Sequence, residues 1–153
     1  MKSEVYFIKY AFPCSHILCD VRGEITNDEF EKMRIAALND EVLDRKFLEK
    51  IFFRAFERIA KLAEEIGKDK WDIEVIREYF RVRHNPILDK SDYPESFKKM
   101  CKVHEASVLE DLGDEAIVLY DGGKRRVKKD YLPDIKVGDR VTIHWQYAVE
   151  KII

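Results

Sequence analysis

The stretch Glu115-Ala116-Ile117-Val118-Leu119-Tyr120-Asp121-Gly122-Gly123-Lys124-Arg125-Arg126-Val127-Lys128 decides the fold of the C-terminal third of this chain. Two β-prone runs flank Asp-Gly-Gly. A tight connection between twisted antiparallel strands needs positive φ, which glycine adopts without steric penalty, so the stretch predicts a hairpin. Upstream, Asp111-Leu112-Gly113-Asp114 turns the chain out of a strand over 102–109. Downstream, Leu132-Pro133-Asp134 and Val137-Gly138-Asp139 interrupt the pattern before strands over 140–145 and 147–151. In the fourth strand the alternation sends Val141, Ile143 and Trp145 to one face, and Thr142 and His144 to the other. Five short strands with a gap after the third predict a small OB-like barrel over 100–153.

Moving back from residue 100, the apolar period lengthens from two residues to three and four. Leu43, Phe47, Leu48, Ile51, Phe52, Ala55, Phe56, Ile59, Leu62, Ala63 and Ile66 share one helical face. They predict a helix over 41–66, opened by Asp40 and stopped by Gly67. Thr26 or Asn27, followed by Asp28 and Glu29, predicts a helix start, with the helix running to about Leu38. Ser3 opens a short helix carrying Tyr6, Phe7, Tyr10 and Ala11, with a strand over 5–8 as the competing reading. Residues 13–23 read as irregular. Ile73, Ile76, Tyr79 and Phe80 predict a helix over 72–83, ended by Asn85-Pro86. The fold class expected is α+β: an all-helical domain over 1–90, a linker over 91–99 with one helical turn, then the five-stranded OB-like barrel.

Composition narrows the function classes. The chain has 153 residues, of which 46% are hydrophobic and 38% charged, and its net charge is −2. That balance argues against a duplex-binding protein, which needs a basic excess or face. No apolar run is long enough to span a bilayer. The opening Met1-Lys2-Ser3-Glu4 lacks the apolar core of a secretion signal, so the cytoplasm is the expected compartment. Disulfides are not expected there, and the three cysteines read as packed thiols, metal ligands or reactive thiolates.

Four pieces of the C-terminal third carry further information. Met100-Cys101-Lys102-Val103 opens the first strand. Asp121-Gly122-Gly123 leads into the basic strand Lys124-Arg125-Arg126-Val127. Leu132-Pro133-Asp134-Ile135-Lys136-Val137-Gly138-Asp139 precedes the fourth strand. Ile143-His144, then Tyr147-Ala148-Val149-Glu150-Lys151-Ile152, closes the region. In order and spacing these pieces resemble the HypC/HupF family of nickel–iron hydrogenase maturation chaperones.

The resemblance implies a non-enzymatic accessory protein of metallocentre assembly. It also implies a HypD-type iron–sulfur protein and the immature hydrogenase large subunit as partners. The cargo it implies is iron bearing cyanide and carbon monoxide, held transiently. The family's cysteine falls on Cys101 and its histidine on His144. A thiolate is a soft ligand suited to such iron, and imidazole is a common companion.

Each candidate has a plainer reading beside it. Cys101 can serve as a small apolar residue at a domain junction, and His144 as a solvated strand histidine. His104, three residues after Cys101, is a substitute or additional ligand. Cys14, His16 and Cys19 offer three donors, but structural zinc needs a fourth, from Cys101, His84 or His104; packed thiols are the simpler reading. Lys124, Arg125 and Arg126, with Lys128 and Lys129, form one basic cluster. Alternation sends it to both faces and acids flank it, so the stretch reads as a solvated strand or as a docking edge for an acidic protein partner, with Lys124, Arg125 and Arg126, together with Cys101, as the expected partner-binding residues. The aromatic stripe Phe47, Phe52 and Phe56 reads as core.

No nucleophile–histidine–acid order, phosphate loop or paired-carboxylate motif points to an enzyme. Two other functions stay open. One is an OB-fold module binding single-stranded nucleic acid, recognisable by salt-sensitive binding. The other is a non-metal-binding adaptor in a hydrogenase-type complex, in which changes at Cys101 and His144 are silent.

Overall fold

The computed structural model describes residues 1–153. Seven α-helices precede five strands that close into a barrel. The chain forms two compact units, Met1–Arg83 and His84–Ile153. No helix is long and apolar enough to cross a membrane.

The first unit holds α1 (Ser3–Ala11), α2 (Asn27–Asn39), α3 (Arg45–Ile51), α4 (Phe53–Ile66) and α5 (Ile73–Glu78). The helical reading of its first residues holds and the strand reading does not, although Lys2 rather than Ser3 precedes the helix. Helix α1 is the core element: the Phe7 ring meets those of Phe52, Phe56, Trp71 and Phe80. Helix α2 starts on the expected Thr26, whose hydroxyl accepts from Glu29 N–H while the Glu29 carboxylate accepts from Thr26 N–H. That reciprocal pair satisfies two of the N–H groups a helix start leaves open.

Three sequence expectations for this unit need correction. The helix over 41–66 starts only at Arg45, behind the Asp44 cap, and breaks at Phe52. Phe52 leaves the helical region at φ −103°, ψ 45°, and its ring is buried against Phe7 at a centroid distance of 5.3 Å. The apolar period runs through the break because both helices bury the same side. The helix over 72–83 ends as an α-helix at Glu78 and continues as a π-helical turn over Tyr79–Arg83, with Tyr79 and Phe80 both buried. Residues 13–23 are not irregular throughout: a 3-10 turn covers Phe12–Cys14 and a π-helical turn covers Ile17–Val21.

The second unit begins earlier than the sequence suggests. Asn85-Pro86 does not end a helix. Pro86 is the third residue of α6 (His84–Asp89), which follows the π-helical turn over Tyr79–Arg83 without a break. Much of the expected linker is α7 (Glu95–Cys101). The boundary therefore falls after Arg83, not near residue 90, and both short helices belong with the barrel.

The barrel strands are β1 (His104–Asp111), β2 (Glu115–Tyr120), β3 (Gly123–Lys128), β4 (Arg140–His144) and β5 (Tyr147–Ile152). Their order is β1-β2-β3-β5-β4, closed by antiparallel pairing of β1 with β4. Only β3 and β5 run parallel, meeting at Lys128 and Tyr147. A five-stranded closed barrel of this kind fits the OB-like class. Ala106, Val108, Ala116, Val118, Val127, Val141, Ile143 and Ala148 fill the interior. The Asp121-Gly122-Gly123 hairpin needs both glycines: a Cβ on Gly122 would run into the Tyr120 ring, and Gly123 sits at φ +116°. Val141 and Ile143 of β4 face the barrel interior as expected, Trp145 lies past the strand end, and the second face is covered as well. From Val141 to His144 every residue is buried, and the pairing with β5 shifts register between Thr142 and Ile143.

Candidate metal centre

Three elements of the second unit each deliver one soft or borderline ligand. His84 is the first residue of α6, Cys101 the last of α7, and His144 the last of β4. One donor atom of each lies within 4.8 Å of the other two. The two imidazoles meet edge to face, with centroids 5.5 Å apart and planes at 81°. Cys101 is 6% exposed and His144 not at all. His84 is half-buried as a residue, but its Nδ1 is covered.

Bonds to the main chain hold the three segments in place. After His144 the chain reverses through Trp145-Gln146 into β5, with Trp145 at φ +52°. A bulky residue in that region costs on the order of 1–2 kcal/mol, and both polar backbone groups of Trp145 are engaged. Its N–H donates to the Met100 carbonyl at 3.0 Å. Its carbonyl accepts from Arg125 Nη1 at 3.1 Å. Arg125 Nη2 donates to the Lys99 carbonyl at 3.1 Å and to the Tyr120 hydroxyl at 3.0 Å. One planar guanidinium thus joins the residue after His144 to the last turn of the helix bearing Cys101. On the third side, Asn85 Nδ2 donates to the Val103 carbonyl at 2.8 Å, and Val103 N–H donates back to Asn85 Oδ1 at 2.9 Å. His84 is thereby tied, through its neighbour, to the chain just past Cys101.

Burial pushes the Cys101 thiol up to about 11, and a hydrogen bond with Trp145 opposes this only in part. In the absence of a cation the sulfur is therefore protonated at neutral pH. A bound cation supplies the field that displaces the proton. The donor set contains one thiolate, two imidazoles and no carboxylate. That chemistry suits iron, cobalt or zinc and not magnesium or calcium, so the residues present fit the iron implied by the family resemblance.

The other expected site residues go elsewhere. His104 is not in the cluster: its Nε2–H donates to the Lys99 carbonyl at 2.9 Å and its ring lies against Tyr120. Cys14, His16 and Cys19 do not converge on one point. The Cys14 thiol donates to the Ala11 carbonyl, His16 Nδ1–H to the Pro13 carbonyl, and the Cys19 thiol to Asn27 Oδ1. No disulfide joins the cysteines.

The basic cluster divides as alternation requires. Arg125 is buried in the clamp just described and stacks its guanidinium over the Tyr120 ring, so it is not a docking residue. Lys129 is buried against Asp111 at 2.9 Å. Of the basic cluster, Arg125 of β3 and Lys129 just past its end are buried, while Lys124 and Arg126 face outward.

Sequence reasoning missed His84 as a partner of Cys101 and His144. It sits directly before Asn85-Pro86, which reads as a helix end, whereas helical residues continue to Asp89. No family model and no curated protein matches the chain.

Proposed function

We propose that this chain is a non-enzymatic accessory protein of metallocentre assembly, a cytoplasmic relative of the HypC/HupF chaperones, which takes up iron at Cys101 and His144. The convergence of those two residues carries the reading. They come from the first and last of the four motif pieces that resemble the family, and the barrel brings their donor atoms within 4.8 Å. Closure of the barrel through β1 and β4 is what makes this happen, since Cys101 precedes β1 and His144 ends β4.

The chemistry is carriage and not turnover. A buried thiolate–imidazole pair binds a soft cation and keeps bulk water from it. The thiol regains its proton when the ion leaves, because burial favours the neutral form. The partners are a HypD-type iron–sulfur protein and an immature hydrogenase large subunit, with Lys124 and Arg126 on the exposed side of β3 as the cations that face a partner. Cys101 lies at the end of α7, so the thiol is carried by a folded helix and not by a chain terminus.

The test is an anaerobic pull-down against those two partners, comparing the wild type with Cys101→Ala. Capture by the wild type and its loss in the variant support a working chaperone. Capture by neither contradicts the proposal.

A further inference from the structure

We infer that His84 is a third protein ligand, so that the site takes a divalent first-row cation on a His2Cys set with one position left open. This rests on the reading of Cys101 and His144 as a metal pair, and extends it to a residue that lies outside the motifs carrying the family resemblance.

Geometry is the first support. Around a tetrahedral ion with metal–nitrogen bonds of about 2.0 Å and metal–sulfur bonds of about 2.3 Å, donor atoms lie roughly 3.3–3.6 Å apart. The three donors here lie within 4.8 Å of one another. Closing on an ion thus requires each pair to approach by at most about 1.5 Å, which small side-chain rotations supply without moving the backbone.

The backbone is the second support. The Asn85–Val103 pair fixes the start of α6 against the segment after Cys101. The Trp145–Met100 bond and the Arg125 clamp fix the end of β4 against α7. All three ligand-bearing segments are therefore held before any ion arrives, by bonds of main-chain groups and neighbouring side chains. Such preorganisation reduces what binding must spend on ordering the ligands.

The ligand count decides the type of site. Four protein ligands make a closed structural centre; three leave a place for an exchangeable group. No fourth histidine, cysteine, aspartate or glutamate joins the cluster. A His2Cys set with an open position suits a cation that is received and passed on, because a donor from outside can enter the vacant position before any protein ligand lets go.

Anaerobic titration with cobalt(II), which reports thiolate ligation as a charge-transfer band and low coordination as intense d–d bands, separates the possibilities. The wild type is expected to show both. His84→Ala is expected to keep the charge-transfer band, lose d–d intensity and bind at least about ten-fold more weakly, the low end for disturbing even a supporting residue. His84→Cys, which restores a donor, is expected to recover tight binding with a stronger charge-transfer band. His104→Ala should match the wild type. If His84→Ala binds with wild-type affinity and spectrum while Cys101→Ala loses the band, His84 is not a ligand although the Cys101 site stands. If the wild type shows no charge-transfer band, this inference and the metal reading beneath it fall together.

Discussion

The backbone N–H of Trp145 donates to the carbonyl of Met100 at 3.0 Å, which binds the residue after His144 to the residue before Cys101. Two places far apart in sequence are thereby brought into register at the level of the main chain. Side-chain chemistry at the site depends on this and on two further bridges, one through Arg125 and one through Asn85. Each can be tested separately.

Asn85→Ala removes both bonds to Val103, a buried residue whose N–H and carbonyl then lose these side-chain partners. A loss of about 1–3 kcal/mol in urea unfolding is expected. Metal affinity should fall about 10–100-fold, as for other supporting residues of metal sites. An unchanged affinity with reduced stability would make Asn85 a purely structural residue.

Arg125→Lys keeps the charge but not the fork that reaches the Lys99 carbonyl, the Trp145 carbonyl and the Tyr120 hydroxyl together. Destabilisation by about 1–3 kcal/mol is expected. Lys124→Ala, on the exposed side of the same strand, should stay within about 0.5 kcal/mol of the wild type while weakening partner capture. The reverse pattern in denaturation and pull-down measurements would show that Arg125 is the docking residue.

Alkylation distinguishes the three thiols. Cys14 and Cys19 are half-buried, whereas Cys101 is buried and its thiol is pushed up to about 11. Because the thiolate is the reactive form, Cys101 should be modified last in the metal-free protein at neutral pH, and faster as the pH climbs toward that value. Unfolding should equalise the three. Mass spectrometry of timed iodoacetamide reactions gives the order, and early labelling of Cys101 would mean that the site is open.

The Val137-Gly138-Asp139 turn makes an acid-sensitive contribution. The Lys136 backbone N–H donates to the Asp139 carboxylate at 3.0 Å, and with Lys136 and Lys151 nearby it holds that group below its ordinary value of 3.8. A depressed carboxyl stabilises the fold fully above its unfolded value, and the contribution disappears as pH falls through the folded one. Thermal melts from about pH 6 downward should therefore drop for the wild type below about pH 4, and drop less steeply for Asp139→Asn. Parallel curves would assign the acid sensitivity to other groups.

The barrel was legible because its signals are local. Asp121-Gly122-Gly123 and Val137-Gly138-Asp139 mark turns, and alternation marks the strands between them. The α2 start was legible because Thr26 and Glu29 are only three residues apart. The break at Phe52 was not: an apolar period describes which side is buried, and it continues across a kink that keeps the same side buried. The burial of His144 was hidden for a similar reason. Alternation separates the two faces of a strand but does not say whether the second face is covered, and here it is. Cys101 and His144 came to attention through resemblance to a family, whereas His84 required the three-dimensional placement of α6. Arg125 was misjudged because an arginine in a basic run looks the same in sequence whether it faces solvent or three internal acceptors.

X-ray absorption at the iron edge, on protein loaded anaerobically with ferrous iron, tests the central claim most directly. The predicted result is one sulfur scatterer at about 2.3 Å together with imidazole nitrogens, the sulfur disappearing in Cys101→Ala. A shell of light scatterers alone, identical in the wild type and Cys101→Ala, would contradict it.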